Sequence, residues 1–127
     1  MSAGGRIWVV EDNDQNFELV DFLLEEAGHQ VTRARDGAEL APLLDGEPPD
    51  LILLDMNLPA ASGLELVAEL RRHARFRRVP VVAVTAHAMH GDRERFLAAG
   101  CDGYVSKPID AARLLAEVAV RLAGGTR

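Results

Sequence analysis

The chain has one cysteine, one tryptophan and one tyrosine in 127 residues, and aromatic residues make up only 5% of it. A lone Cys101 can form no internal disulfide and has no second thiol with which to hold zinc, so it reads as a small buried hydrophobe. Long apolar runs are lacking as well. Nothing approaches the ~18 consecutive apolar residues of a membrane span, and residues 1–6 have no apolar core of the signal-peptide kind. The default expectation is a cytoplasmic protein that meets no membrane. Basic charge is in deficit: fourteen basic residues against twenty acidic ones leave a net charge of −6. That balance speaks against nucleic acid as a direct ligand and suits a cation or a basic partner surface.

What the chain does have is apolar substance, 48% of its residues. At this length that makes one compact domain over residues 1–127, with a core of about residues 6–123 and a frayed tail at 124–127. Strand-like and helix-like segments alternate five times. Residues 6–10 (RIWVV) are β-branched and aromatic and stop at the turn formers of residues 11–14 (EDND). Over residues 14–27, Phe17, Val20, Leu24 and Ala27 recur at helical spacing with Leu23 beside them, and Gly28 is the stop. Residues 29–34 form a weaker strand, suited to an edge. Asp36 and Glu39 read as a capping box that opens a short helix through Leu40, Leu43 and Leu44, and Pro42 inside it predicts that it is kinked or cut short.

Within the stretch 50–59 (DLILLDMNLP), the four apolar residues after Asp50 fit a strand buried on both faces, since the run shows no alternation, and Asp55 sits where that strand should end. Ser62 and Glu65 form a second capping box, and Leu64, Val67 and Leu70 line a helix to about residue 74. The arginines at 71, 72, 75, 77 and 78 read as a solvated helix end that complements the helix dipole. Residues 80–85 are another buried strand. A helix over 91–100 ending at Gly100, a short strand over 103–106 and a helix capped at Asp110, with Leu114, Leu115, Val118 and Leu122 inward, complete the chain. Five such βα units with right-handed crossovers give an α/β, doubly wound, flavodoxin-like (βα)5 fold. It is a three-layer αβα sandwich with a parallel sheet in the order 2-1-3-4-5.

In that order the carboxyl ends of four neighbouring strands bring together Glu11 and Asp12, Asp55, Thr85, and Lys107. Three carboxylates so close repel one another, and the usual remedy is a hard cation held by oxygen ligands. Mg²⁺ is the expected ion, because the thiol and imidazole ligands that suit zinc are missing. The site is suited to phosphoryl transfer onto a carboxylate. Asp55 would attack in line, with Lys107 and the Thr85 hydroxyl binding phosphoryl oxygens.

These residues carry a resemblance. Residues 9–13 (VVEDN), 54–59 (LDMNLP), 84–86 (VTA) and 104–108 (YVSKP) together closely resemble the response-regulator receiver domains of two-component signalling. Residues 83–92 and 100–104 are similar to single-domain regulators of the DivK type, and to the receivers of hybrid kinases. The resemblance implies that Asp55 is the phosphoacceptor, that Asp12 and Asp55 ligate Mg²⁺ with Glu11 acting through water, and that the Asn57 carbonyl completes the protein's share. It implies Thr85 and Tyr104 as a switch pair, a histidine kinase or phosphotransfer protein as phosphodonor, and a protein effector downstream. It also implies no enzyme beyond the chain's own phosphorylation and dephosphorylation. Tyr104 is expected to face solvent before phosphorylation, and Lys107-Pro108 is expected to be cis. Pro42 and His87 depart from the family pattern, the latter at a place that adjusts access of hydrolytic water.

Three other readings compete. A flavodoxin-like cofactor binder needs a glycine-rich phosphate cradle after the first strand, where this chain has acids. An aspartyl phosphatase needs a second acid beside its nucleophile and a substrate cap, and neither is evident. The alternative that keeps every feature of the fold is a pseudo-receiver, an interaction module that works without phosphorylation.

Overall fold

A computed structural model describes residues 4–57, 63–86 and 92–123. The elements run β1 (Arg6–Val10), α1 (Asp14–Glu26), β2 (Gln30–Ala34), α2 (Gly37–Leu43), β3 (Leu51–Asp55), α3 (Gly63–Arg72), a 3-10 turn (Ala74–Phe76), β4 (Val81–Thr85), α4 (Asp92–Ala99), β5 (Gly103–Ser106) and α5 (Ala111–Leu122). All strand pairs are parallel, in the order β2-β1-β3-β4-β5. The expected architecture is the observed one.

Alternation along the strands divides the core into two apolar layers, because successive side chains leave opposite faces of a sheet. Trp8, Val10, Ile52, Leu54, Val81 and Ala83 pack with side chains of α2, α3 and α4, whereas Ile7, Val9, Leu51, Leu53, Val82 and Val84 pack with α1 and α5. Both faces of β1, β3 and β4 are therefore covered, as their unbroken apolar runs require. At the edge, β2 alternates exposed and half-buried positions before ending at the buried Ala34.

Local signals set most boundaries. Asn13 caps α1 by accepting from the Asn16 N–H, and Gly28 follows the helix at φ +96°, a conformation in which a side chain is strained. Asp36 accepts from the Glu39 N–H as expected, but the Glu39 carboxylate reaches back to the Arg35 N–H rather than to the cap residue itself. With Pro42 inside it, α2 is seven residues long. Ala27 is exposed rather than inward, since it lies past the last helical residue.

The largest departure lies after α3. The helix ends at Arg72, two residues short of the expected end, because His73 adopts an extended backbone (φ −84°, ψ 121°) and a 3-10 turn follows. Arg71 is not a solvated end. Its guanidinium donates to the carbonyls of Gly100, Phe76, Arg77 and Val79 and pairs with Asp102 at 3.1 Å. Asp102 in turn accepts from the Val81 N–H at 2.8 Å. One arginine thus ties together the 3-10 turn, the segment leading into β4 and the α4–β5 loop, while Arg72, Arg75, Arg77 and Arg78 are exposed as expected. The Ser62 cap, Leu58, Pro59, His87 and the tail lie outside the described residues.

Candidate functional site

The parallel sheet delivers the carboxyl ends of β1, β3, β4 and β5 to one edge, and the expected residues arrive there together. Asp55 closes β3 and is 3% exposed, Thr85 closes β4 and is 1% exposed, and Glu11 follows β1 at 4%. Three buried polar groups at one edge, among strands otherwise apolar, mark a site rather than a core.

Each is held by its neighbours. Asp55 Oδ1 accepts from the Asn57 N–H at 2.9 Å, a tight turn that fixes the carboxylate as the strand ends. The Asn57 side-chain oxygen accepts from the Ala86 N–H at 3.0 Å and so ties the turn after β3 to the end of β4. Lys107 is positioned by its own N–H, which donates to the Thr85 carbonyl at 2.7 Å, and the Lys107-Pro108 peptide that follows is cis. Its ammonium lies 3.2 Å from Asp55 Oδ2 and 3.9 Å from Glu11 Oε1. The expected cis bond is present, and the ammonium is aimed at Asp55.

Glu11 sits under electrostatic stress. Burial, followed by the Asp55 carboxylate beside it, pushes its pKa up from 4.5 to about 7, against the opposing pull of the Asn13 N–H and Lys107. Asp12 is exposed, and one carboxylate oxygen from each of Glu11, Asp12 and Asp55 falls within a 4.8 Å cluster. All three donors are hard oxygens, with no thiol or imidazole among them. A buried carboxylate that ionises only reluctantly next to two others is what a bound divalent cation would relieve, so the donor set fits Mg²⁺.

Tyr104 is on β5, half-buried rather than facing solvent, with its ring centroid 6.5 Å from that of Phe96 on α4. It packs against the α3/α4 layer because Ala83, its partner in the β4–β5 ladder, leaves room beside it. Thr85 and Tyr104 therefore lie on adjacent strands, one at the acidic edge and one toward α4.

Two features escaped the reading of the sequence. Lys107 is the only lysine, the other thirteen basic residues being arginine, which already singles out a position needing a compact point charge rather than a planar fork. Arg33 on β2 reaches the backbone of Glu11, a contact that only the strand register reveals.

This fold, with paired acids after β1, an acid ending β3, a hydroxyl ending β4 and a lysine after β5, defines a class. The chain belongs to the response regulator receiver domain family, whose model matches residues 7–119. It is 44% identical over 109 residues to the polar-differentiation response regulator DivK of Brucella ovis, covering 86% of this chain and 89% of that protein. Among solved structures it is similar to the receiver domain of a sensor histidine kinase from Pseudomonas aeruginosa, with 37% identity and a TM-score of 0.84 over 96% of this chain and 99% of that one. That structure has a magnesium ion coordinated in its active-site cleft. A putative response regulator from Chloroflexus aurantiacus superposes with a TM-score of 0.89 at 28% identity, covering 94% and 98% of the two chains.

Proposed function

We propose that this chain takes a phosphoryl group onto Asp55 in the presence of Mg²⁺, from a histidine kinase or a phosphotransfer protein, and passes the signal to a protein partner in the cytoplasm. The observation that carries the reading is Asp55 itself, a buried carboxylate gripped on one oxygen by the Asn57 N–H and faced on the other by the Lys107 ammonium. Hydrogen bonding and ion pairing fix its orientation, and orientation is most of what phosphoryl transfer asks of a protein.

Asp12 and Asp55 would hold the metal, with Glu11 acting through water and the main-chain carbonyl of Asn57 as a further donor. When bound, the ion supplies the positive charge that offsets the three carboxylates and the charge on the transferring group. An Asp55 oxygen forms the new bond to phosphorus as the bond from phosphorus to the donor breaks, and its electron pair departs with the donor. Lys107 and the Thr85 hydroxyl then bind oxygens of the phosphoryl group. Drawing Thr85 toward those oxygens changes the space beside Tyr104, which moves further inward and reshapes the surface of α4, β5 and α5. The chemistry stays on the chain's own aspartate, so the protein acts as a signalling module rather than an enzyme on an outside substrate.

Incubation with a small phosphodonor, followed by intact-mass measurement, tests the reading. The wild type gains one phosphoryl group with Mg²⁺ and none with a chelator, and Asp55→Asn gains none. Full uptake by Asp55→Asn would move the acceptor elsewhere. No uptake by wild type under any condition would leave a phosphorylation-independent interaction module.

A further inference from the structure

We infer that Arg33, on the edge strand β2, is a positioning residue for the metal site, gripping the Glu11–Asp12 peptide so that Asp12 is placed to bind the cation. The inference rests on the proposed Mg²⁺ site and adds to it a residue outside the acidic edge. Arg33 Nε and Nη2 both donate to the Glu11 carbonyl oxygen, at 3.1 and 3.0 Å. The Glu11 N–H donates to the carbonyl of Ala34, the next residue on β2, at 3.0 Å. Both peptide units around Glu11 are therefore fixed by β2.

Asp12 depends on that grip. Its carboxylate has no hydrogen bond or ion pair to any other of the described residues, so its position is inherited from the main chain on either side. On the following side, the Asn13 N–H is bound by Glu11 Oε2 and Asn13 caps α1. On the preceding side the fixed point is the Glu11 carbonyl, held by Arg33. The arginine is itself locked, with a side chain 17% exposed, Nη2 2.9 Å from Asp14 Oδ1 and its guanidinium carbon 4.5 Å from the centre of the Phe17 ring. A fork bound at a carbonyl, a carboxylate and a ring face holds a fixed orientation, which a lysine in its place would not.

Charge and geometry make opposite demands here, and that makes the inference testable. As a nearby cation, Arg33 would weaken Mg²⁺ binding by repulsion, and its removal would strengthen it. As a clamp, it orders a ligand, and its removal weakens binding by roughly tenfold, the scale of partners that orient metal ligands. Isothermal titration of Mg²⁺ into metal-free wild type, Arg33→Lys and Arg33→Met separates the two. Arg71→Lys is the control, since it loosens an equally forked carbonyl clamp at the other end of the sheet.

The expected result is an Mg²⁺ Kd raised about tenfold in both Arg33 variants, with Arg71→Lys lowering the Tm while keeping the wild-type Kd. Wild-type or tighter affinity in Arg33→Met overturns the inference, and so does wild-type affinity in Arg33→Lys, where the charge survives without the fork. A wild type that takes up no Mg²⁺ removes the metal-site reading itself, and the inference with it.

Discussion

At the amino end of the sheet, the Arg71 guanidinium meets four carbonyls and the Asp102 carboxylate, and every group it touches is better satisfied for its presence. At the carboxyl end, three carboxylates crowd one ammonium, and Glu11 is ionised only against the resistance of burial and of Asp55. The same strands thus run from an end where opposite charges and hydrogen bonds are matched to one where like charges are crowded together. Open α/β sheets place chemistry at the carboxyl ends of their strands, and the contrast shows what that placement costs. A proton on Glu11, or a cation among the three carboxylates, would relieve that crowding.

Substitutions at the two ends sharpen this contrast. Arg71→Ala is expected to have the largest effect, a loss of about 3 kcal/mol in urea unfolding, because several main-chain acceptors and Asp102 lose their partner at once. Phosphoryl uptake per folded molecule should not change, and a specific loss of uptake would break the separation of roles. Gly63→Ala comes next. A Cβ there would stand 2.7 Å from the Met56 Cα and 2.6 Å from its sulfur, so α3 must shift against the residue next to Asp55. A loss of about 2 kcal/mol is expected, this time with slower uptake.

Glu11→Gln should act with the opposite sign. A carboxyl whose folded pKa is raised costs nothing below its ordinary 4.5, begins to cost as pH rises, and costs in full above about 7. In metal-free buffer the variant is expected to be more stable than wild type at pH 8 by roughly 1–3 kcal/mol, with the gain vanishing near pH 4. Wild type more stable than the variant at pH 8 would remove the electrostatic stress from the picture. The smallest effect is at Cys101. Burial pushes its thiol up to about 11, so alkylation of folded protein at pH 8 should be negligible and should appear only on unfolding.

How far all this could be read in advance depended on the kind of signal. Asp55 and Thr85 were legible because each ends an apolar strand, and Lys107 because it follows the last strand, since parallel order alone carries strand ends to one edge. Asn13, Gly28, Asp36, Gly100 and Asp110 act locally, within a few residues of what they cap or end, so they too could be read in sequence. Arg71 and Arg33 could not. Arg33 meets Glu11 22 residues away, and Arg71 joins nearby carbonyls to Gly100, 29 residues away, while a guanidinium in a polar run looks the same whether it meets water or a carbonyl. Tyr104 was legible as to its strand but not its rotamer, which depends on the space beside Ala83 and on Phe96.

The most direct test is to locate the phosphoryl group. Wild-type protein would be phosphorylated with a small donor and Mg²⁺ and reduced with borohydride, which converts an aspartyl phosphate to homoserine, and its peptides would then be sequenced by mass spectrometry. Homoserine at position 55, dependent on Mg²⁺ and absent with chelator, is the expected result. Homoserine at position 12, or a phosphoryl group carried on a histidine with Asp55 unmodified, would contradict the assignment.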